Sequence, residues 1–336
     1  MDGPGPTRRR GATPGGGGPG AQTGARAVVR APAKLNLGLE VLFRRPDGFH
    51  EIRTVLQAVT LWDRVDLELS ESPGVALEVR PAGLDLGPDE ANLAVRAARR
   101  LPPPPGGPPG VRITLHKRIP AGAGLGGGSA DAAAVLVGLA RLRRAPCPPE
   151  ELERIGAELG SDVPFFIRGG TQWGSGRGEI LRALPPWPSE PLVVVFPGRT
   201  LSTAAVYGSL KSVLTARDPL PTFYLREFGP DPRCAASSGA DSGSDSGAAF
   251  WARLRPVLRN DLQPAVLAAE AGTARALQLL EELGSGFSRV TGSGSAVFGA
   301  APDGASAESW VRRFQELGFW ARCVRPTRGG CSYREP

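Results

Sequence analysis

Regular alternation of apolar and polar side chains begins only at Val28, because residues 1–26 are rich in Gly and Pro and nearly free of large apolar side chains. Such a segment cannot repay the entropy of ordering, so a disordered tail is expected over 1–26. Beyond it, runs at Ala27 to Val29, Leu37 to Phe43, Val65 to Leu69 and Val75 to Val79 predict strands of one sheet. Asp89 is placed to cap a helix from Glu90 to Leu101, and the Pro/Gly run from Pro102 to Gly110 forces an irregular connection.

Val111 to Leu115 then predicts a strand, followed by a glycine loop and by Ser129-Ala-Asp131, which can cap a helix running to about Arg144. A second helix is expected from Pro149, with acidic Glu150 and Glu151 in its first turn, to a C′ glycine at Gly160. The proline-bounded run Leu192 to Phe196 opens a second domain, and the Ser/Gly/Asp segment 229–247 is a low-complexity insert. A long helix from Pro264 to Leu283, strands at Ser288 to Val290 and Ala296 to Phe298, a helix at Glu308 to Leu317 and a strand at Phe319 to Val324 complete the chain. That order predicts an α+β protein of two domains, 27–186 with the glycine loop and 187–336 with helices covering an antiparallel sheet.

At 336 residues and 41% hydrophobic content, both domains can bury a core without disulfides or metals. The net charge of +7 would suggest a nucleic-acid partner, but residues 1–30 hold five arginines against one aspartate. The remainder is close to balanced, and no nucleic-acid partner is expected. Cys147, Cys234, Cys323 and Cys331 are scattered without zinc-ligand or disulfide spacing. No apolar run is long enough to span a bilayer and no signal-peptide region opens the chain, so a cytoplasmic protein without a membrane partner is expected. Organelle import through the arginine-bearing leader is the alternative, disfavoured by its Gly and Pro content.

Gly122, Gly124 and Gly127 satisfy G-x-G-x-x-G, a weak signal shared by dinucleotide-binding folds and protein kinases. A dinucleotide fold would continue into a parallel strand, whereas a second helix follows here. A Walker loop would need a lysine before its Ser/Thr, but Gly128 is followed directly by Ser129. What remains is five glycines between Gly122 and Gly128 leading into a helix start, where bare amides and the helix's partial positive charge suit a polyphosphate. A flexible connection would not require so many glycines at that junction.

The string Pro120, Ala121, Gly122, Ala123, Gly124, Leu125, Gly126, Gly127, Gly128, Ser129, Ala130, followed by Asp131 and three alanines, resembles the ATP-binding motif of the kinase superfamily that includes galactokinase, homoserine kinase and mevalonate kinase. Four further segments narrow the resemblance to the diphosphocytidyl-methylerythritol kinase family. They are Ala31-Pro-Ala-Lys-Leu-Asn-Leu37, Arg45-Pro-Asp-Gly-Phe-His-Glu51, Gly160-Ser-Asp-Val-Pro-Phe-Phe166 and Thr291-Gly-Ser-Gly-Ser295, collinear over the chain from residue 28 onward. The resemblance implies a two-domain kinase with its active site in the cleft, using ATP with Mg²⁺ to phosphorylate the 2-hydroxyl of 4-diphosphocytidyl-2-C-methyl-D-erythritol. No metal-ligating side chains are assigned, and the ion is expected to arrive with the nucleotide.

Lysine occurs only at Lys34, Lys117 and Lys211, so an ammonium within an apolar strand stands out. By resemblance Lys34 and Asp162 form the catalytic pair, the lysine orienting the acceptor hydroxyl and the aspartate accepting its proton. From the residues alone Asp162 would be a turn or cap, since it follows Gly-Ser and precedes the apolar Val163 to Phe166. By resemblance also, Phe49 and His50 read a cytosine base, Tyr207 forms a second aromatic wall, Asn36 and Thr203 contact substrate, and Gly292-Ser-Gly294 makes a second glycine turn near the phosphates. Phe49 departs from the family's usual tyrosine, which keeps the stacking face and loses the hydroxyl. Without the resemblance, Phe49 could be a core residue, Thr203 a helix N-cap, Asn36 a strand-end residue and Gly292-Ser-Gly294 a hairpin turn. His116 reads as structural. The rival functions are a related kinase acting on homoserine, mevalonate or a sugar, and a catalytically inactive nucleotide-binding protein.

Overall fold

Two long strands run through the whole molecule. β1 (Arg26–Arg44) and β2 (His50–Ser70) pair antiparallel from Arg26 opposite Glu68 to Arg44 opposite His50. The two runs expected at Ala27 to Val29 and Leu37 to Phe43 are therefore one strand. The register shifts between Pro32 and Ala33 and between Asn36 and Gly38, and a bulge is where a sheet tolerates a proline that has no N–H to give. The segment Arg45-Pro-Asp-Gly-Phe makes the turn, with the Arg45 N–H donating to Phe49 O, the Phe49 N–H to Asp47 Oδ1, and Gly48 at φ 86°.

This computed structural model describes residues 22–84, 86–144, 147–186, 189–210, 251, 255 and 258–334. The insert 229–247 and the tail up to residue 21 lie outside the described residues. Within the last part of the expected tail, the Gly24 N–H donates to Leu69 O and β1 already begins at Arg26.

β3 (Gly74–Arg80), β4 (Gly110–His116), β5 (Thr171–Ser175), β6 (Ile180–Ala183) and a last strand, Ser332–Arg334, complete the first sheet. Its order places β4 between β2 and β3, β5 beside the first half of β2 with β6 on the outer side of β5, and the last strand against β1. Four helices pack on one face: α1 (Leu93–Arg100), α2 (Gly127–Leu142), α3 (Pro149–Leu159) and α4 (Val163–Arg168). Alternation decides which side is covered. Val65, Leu67, Ile113 and Leu115 point into this core, while Arg64, Asp66, Glu68 and Arg112 pair with one another on the open face. α2 approaches so closely that a Cβ at Gly138 would stand 2.9 Å from Val29 Cγ2.

The second sheet is antiparallel, with strand order Trp320–Val324, Leu192–Phe196, Val297–Ala300, Ser288–Val290. In chain order these are β7 (Leu192–Phe196), β8 (Ser288–Val290), β9 (Val297–Ala300) and β10 (Trp320–Val324), and the last strand of the first sheet is β11. The continuous apolar run in β7 has a direct reason. Leu192 and Val194 face the far half of β1 and β2 through Leu35, Leu37, Val55 and Val59, whereas Val193 and Val195 face the helices. Those helices are α6 (Gln263–Ala269), α7 (Ala271–Glu282) and α8 (Gly304–Glu316), and α5 (Thr203–Gly208) follows β7.

Three local expectations are corrected. The cap of α1 is Asn92, whose side chain accepts the Ala94 N–H, because Asp89 lies in a separate short turn, Asp89–Ala91. The helix expected from Pro264 to Leu283 is broken at Glu270, which turns out of helical geometry and caps α7 by accepting the Gly272 N–H. That break lets Thr273 donate to Ser295 O and tie α7 to the Thr291–Ser295 turn. Gly160 ends α3 in extended geometry, with φ near 180°, and is not a left-handed C′ residue.

Candidate active site

A cleft of about 1100 Å³ opens between the two sheets, at the junction of β1, the glycine loop, α4, α5 and the 291–294 turn. One end is built by the loop after β4. Gly122, Gly124 and Gly126 adopt φ of 65°, 80° and 75°. A Cβ at Gly126 would lie 2.6 Å from Phe166 Cζ and 3.0 Å from Lys34 Cγ, and one at Gly124 would strike the Thr291 carbonyl. Only glycine fits these two positions. Two backbone hydrogen bonds seat the loop between the sheets, Lys34 N–H to Leu125 O at 3.0 Å and Ala296 N–H to Ala123 O at 3.1 Å.

α2 begins earlier than Ser129-Ala-Asp131 suggested. Its N-cap is Gly126 and no side chain caps it. Gly127 and Gly128 thus form its first turn and line the cleft beside Ser129, and the first N–H groups of a helix have no partner within it. An uncapped helix start with bare amides fits an anion. Among the described residues no group of three or more His, Cys, Asp or Glu is placed to hold a metal ion.

The other end of the cleft centres on Lys34. β1 carries its side chain inward, where it is 4% exposed, and its ammonium donates to Asn36 Oδ1. Asp162 Oδ2 lies 3.8 Å from Lys34 Nζ, brought there by the turn that opens α4. Burial lowers the Lys34 pKa and the Asp162 charge partly offsets that fall. Asn36 is held in turn, its Nδ2 donating to Thr54 Oγ1 at 2.9 Å and its N–H to Thr291 Oγ1 at 3.0 Å. It therefore sits mid-strand in a polar knot, not at a strand end. Gly292 closes over this knot, since a Cβ there would stand 3.1 Å from Lys34 Nζ, and Asn260 fixes the turn by donating to Val290 O and Gly292 O.

His50 and Tyr207 stack, with ring centroids 5.0 Å apart and planes inclined by 28°. Burial and the nearby Arg44 charge lower the His50 pKa, and burial with the Asp162 charge raises that of Tyr207. Phe49 is 51% exposed, and its ring lies 5.0 Å from the Arg177 guanidinium. It is not a core residue. Thr203 Oγ1 meets Ser293 Oγ at 2.9 Å, and the cap of α5 is Ser202 instead. His116 pairs with Asp66 on the open face of the first sheet.

The cleft therefore gathers Lys34, Asn36, Phe49, His50, Asp162, Thr203 and Tyr207 with Pro120 to Gly124 and Gly126 to Ser129. Leu125 and Ala130 face the core and line no part of it. Gly292 and Ser293 of the second glycine turn line the cleft too, and Arg44, Lys117 and Arg177 join them beyond the residues expected from the sequence. Lys117 carried a signal in the rarity of lysine, whereas two arginines among 37 carried none.

Residues 92–170 match the GHMP kinases N terminal domain and residues 248–318 match the GHMP kinases C terminal domain. The chain is 42% identical to a 4-diphosphocytidyl-2-C-methyl-D-erythritol kinase of Moorella thermoacetica, over 86% of this chain and 95% of that one. It is 39% identical to the enzyme of the same name from a Synechococcus species, over 88% and 93%. Among solved structures, a 4-(cytidine 5'-diphospho)-2C-methyl-D-erythritol kinase superposes with a TM-score of 0.67 at 34% identity, covering 90% of this chain and 99% of that one. A homoserine kinase from Cytophaga hutchinsonii shares the fold, with a TM-score of 0.65 at 18% identity over 92% and 97%. No helix among the described residues is long and apolar enough to cross a membrane. Identity at this level over most of both chains places the protein in the family of 4-diphosphocytidyl-2-C-methyl-D-erythritol kinases, small-molecule phosphotransferases of the GHMP kinase type.

Proposed function

We propose that this protein transfers the γ-phosphoryl group of ATP to the 2-hydroxyl of 4-diphosphocytidyl-2-C-methyl-D-erythritol, the acceptor that its relatives' names print. The observation that carries the reading is that Lys34 and Asp162, 128 residues apart, meet at 3.8 Å in the same cleft as the uncapped start of α2. The triphosphate would lie along the bare amides from Gly122 to Ser129, and Mg²⁺ would enter with it.

Asp162 would take the proton of the acceptor hydroxyl while that oxygen bonds to the γ-phosphorus and the bond to the ADP oxygen breaks. Lys34, aimed by Asn36, would counter the charge spread over the transferring oxygens. Most of the catalysis then comes from holding two substrates in line within the cleft. At the acceptor end, His50 and Tyr207 offer an aromatic face and ring nitrogens for a base, with Phe49 at the rim. A cytosine fits such a wall, whereas homoserine, mevalonate and sugars have no base to stack.

The test is a coupled ADP-release assay with ATP and the cytidine-diphosphate polyol, run beside homoserine and beside Asp162→Asn and Lys34→Ala. Turnover of the cytidylyl substrate alone, lost in both variants, is the expected result. Nucleotide binding without turnover of any acceptor would overturn it.

A further inference from the structure

Beneath the glycine loop lies a buried ion cluster that the proposed chemistry leaves unused. Asp63 on β2 is fully buried, and its Oδ1 accepts the N–H groups of Arg118 at 2.5 Å and Ile119 at 2.9 Å, just before the loop begins. Its Oδ2 accepts from the Lys117 ammonium. The same ammonium reaches Asp131 Oδ2 at 2.5 Å, on the fifth residue of α2, just after the loop ends. One cation thus bridges the entry and the exit of the loop. It also lies against the first turn of α2, where a Cβ at Gly127 would stand 3.3 Å from Lys117 Nζ.

Stability does not account for this cluster. Two buried carboxylates share one ammonium, and Asp131 Oδ1 makes no hydrogen bond among the described residues. A buried ion pair is seldom a net source of stability, and one with an excess charge and an orphaned oxygen is worse. Burial, reinforced by Asp63 and only partly offset by Lys117, pushes the Asp131 carboxyl up to about 7. The two carboxylates more than offset the burial of Lys117 and hold its ammonium above the usual lysine pKa. Lys117 and Asp131 both line the cleft. A costly arrangement at that place is explained if it sets geometry that the ligand needs.

We propose that Lys117 is a positioning residue for the nucleotide: held by Asp63 on the strand side and Asp131 on the helix side, it sets the span between the two ends of the loop and so the spacing of the amides that meet the phosphates. The proposal rests on reading that loop as the triphosphate cradle. The KM for ATP of Gly128→Ala, a position where a Cβ meets no protein atom within 4 Å, tests that reading separately.

The informative variant is Asp131→Leu, which removes the acceptor at similar volume and leaves Lys117 paired with Asp63, so the buried charges balance. The KM for ATP is expected to rise roughly tenfold while the KM for the acceptor changes by less than about twofold. Asp131→Asn, which keeps one oxygen for Lys117, should fall between Asp131→Leu and the unaltered protein, and amide exchange over 120–128 should quicken in step with KM. A KM for ATP within about twofold of the unaltered value in a folded Asp131→Leu overturns the proposal, as does an equal rise in both KM values. Should Asp131→Leu fail to fold, the isosteric Asp131→Asn decides on the same two readouts.

Discussion

Replacing Gly128 by alanine separates two reasons for a glycine in this loop. Gly124 and Gly126 are required by the protein itself, through positive φ and through Thr291 and Phe166 at van der Waals distance or closer. Gly128 is not: its φ is ordinary, it lies in the first turn of α2, and a Cβ there would meet nothing within 4 Å. By the chain's own physics alanine should be preferred, gaining about 0.5–1 kcal/mol of helix stability. If phosphate oxygens lie against these amides, the methyl group occupies their space, and a lost charged hydrogen bond costs about 1.5–3 kcal/mol. At 1.4 kcal/mol per factor of ten, the KM for ATP should rise roughly ten- to hundredfold. Thermal unfolding and initial-rate kinetics with varied ATP measure the two effects on one sample. A Gly128→Ala protein that melts at or slightly above the parent temperature and binds ATP poorly is the expected outcome. Equal or greater stability with an unchanged KM for ATP would refute the assignment of the phosphates to the start of α2.

Gly126→Ala should lose stability through both strain and overpacking, by on the order of 2–5 kcal/mol, visible as a much lower denaturation midpoint. Asp162→Asn should lower kcat by roughly 10²–10⁴ with little change in melting temperature, because the carboxylate is partly exposed and caps no N–H of α4. Lys34→Met should abolish turnover yet leave stability at pH 8 unchanged or raised, because burial lowers the lysine pKa and a charged Lys34 is a net cost. With the folded pKa below the unfolded value of 10.5, the unfolded chain binds more protons between the two. The unfolding free energy therefore rises with pH through that window, and Lys34→Met should flatten the slope in denaturation curves taken from pH 8 to 10.5. Phe49→Ala should raise the KM for the cytidylyl substrate by roughly five- to a hundredfold through lost stacking while the KM for ATP stays put, which two-substrate kinetics will show.

Much of the fold and half of the site could be read from local spacing. The glycine loop between β4 and α2 was legible because tight turns and bare amides are properties of consecutive residues. So was β7, a β-branched run bounded by prolines, although burial of both its faces is seen only in the packing. Lys34 and Asp162 were legible only through family resemblance, since on their own they read as a strand lysine and a turn aspartate.

Other features answer to packing between distant segments, and nearest neighbours carry no trace of them. Continuity of β1 through Pro32 depends on a bulge whose partner strand begins 18 residues later, and the break at Glu270 depends on the Thr291–Ser295 turn that α7 must meet. The return of β11 to the first sheet is of the same kind. So is the bridge from Asp63 through Lys117 to Asp131, which needs β2, the end of β4 and α2 at one point. Backbone stiffness and hydrophobic period act over a few residues and are written along the chain. Bulge placement, ion pairing and the closing of a cleft are long-range balances of desolvation and contact, and they come into being only when the sheets pack.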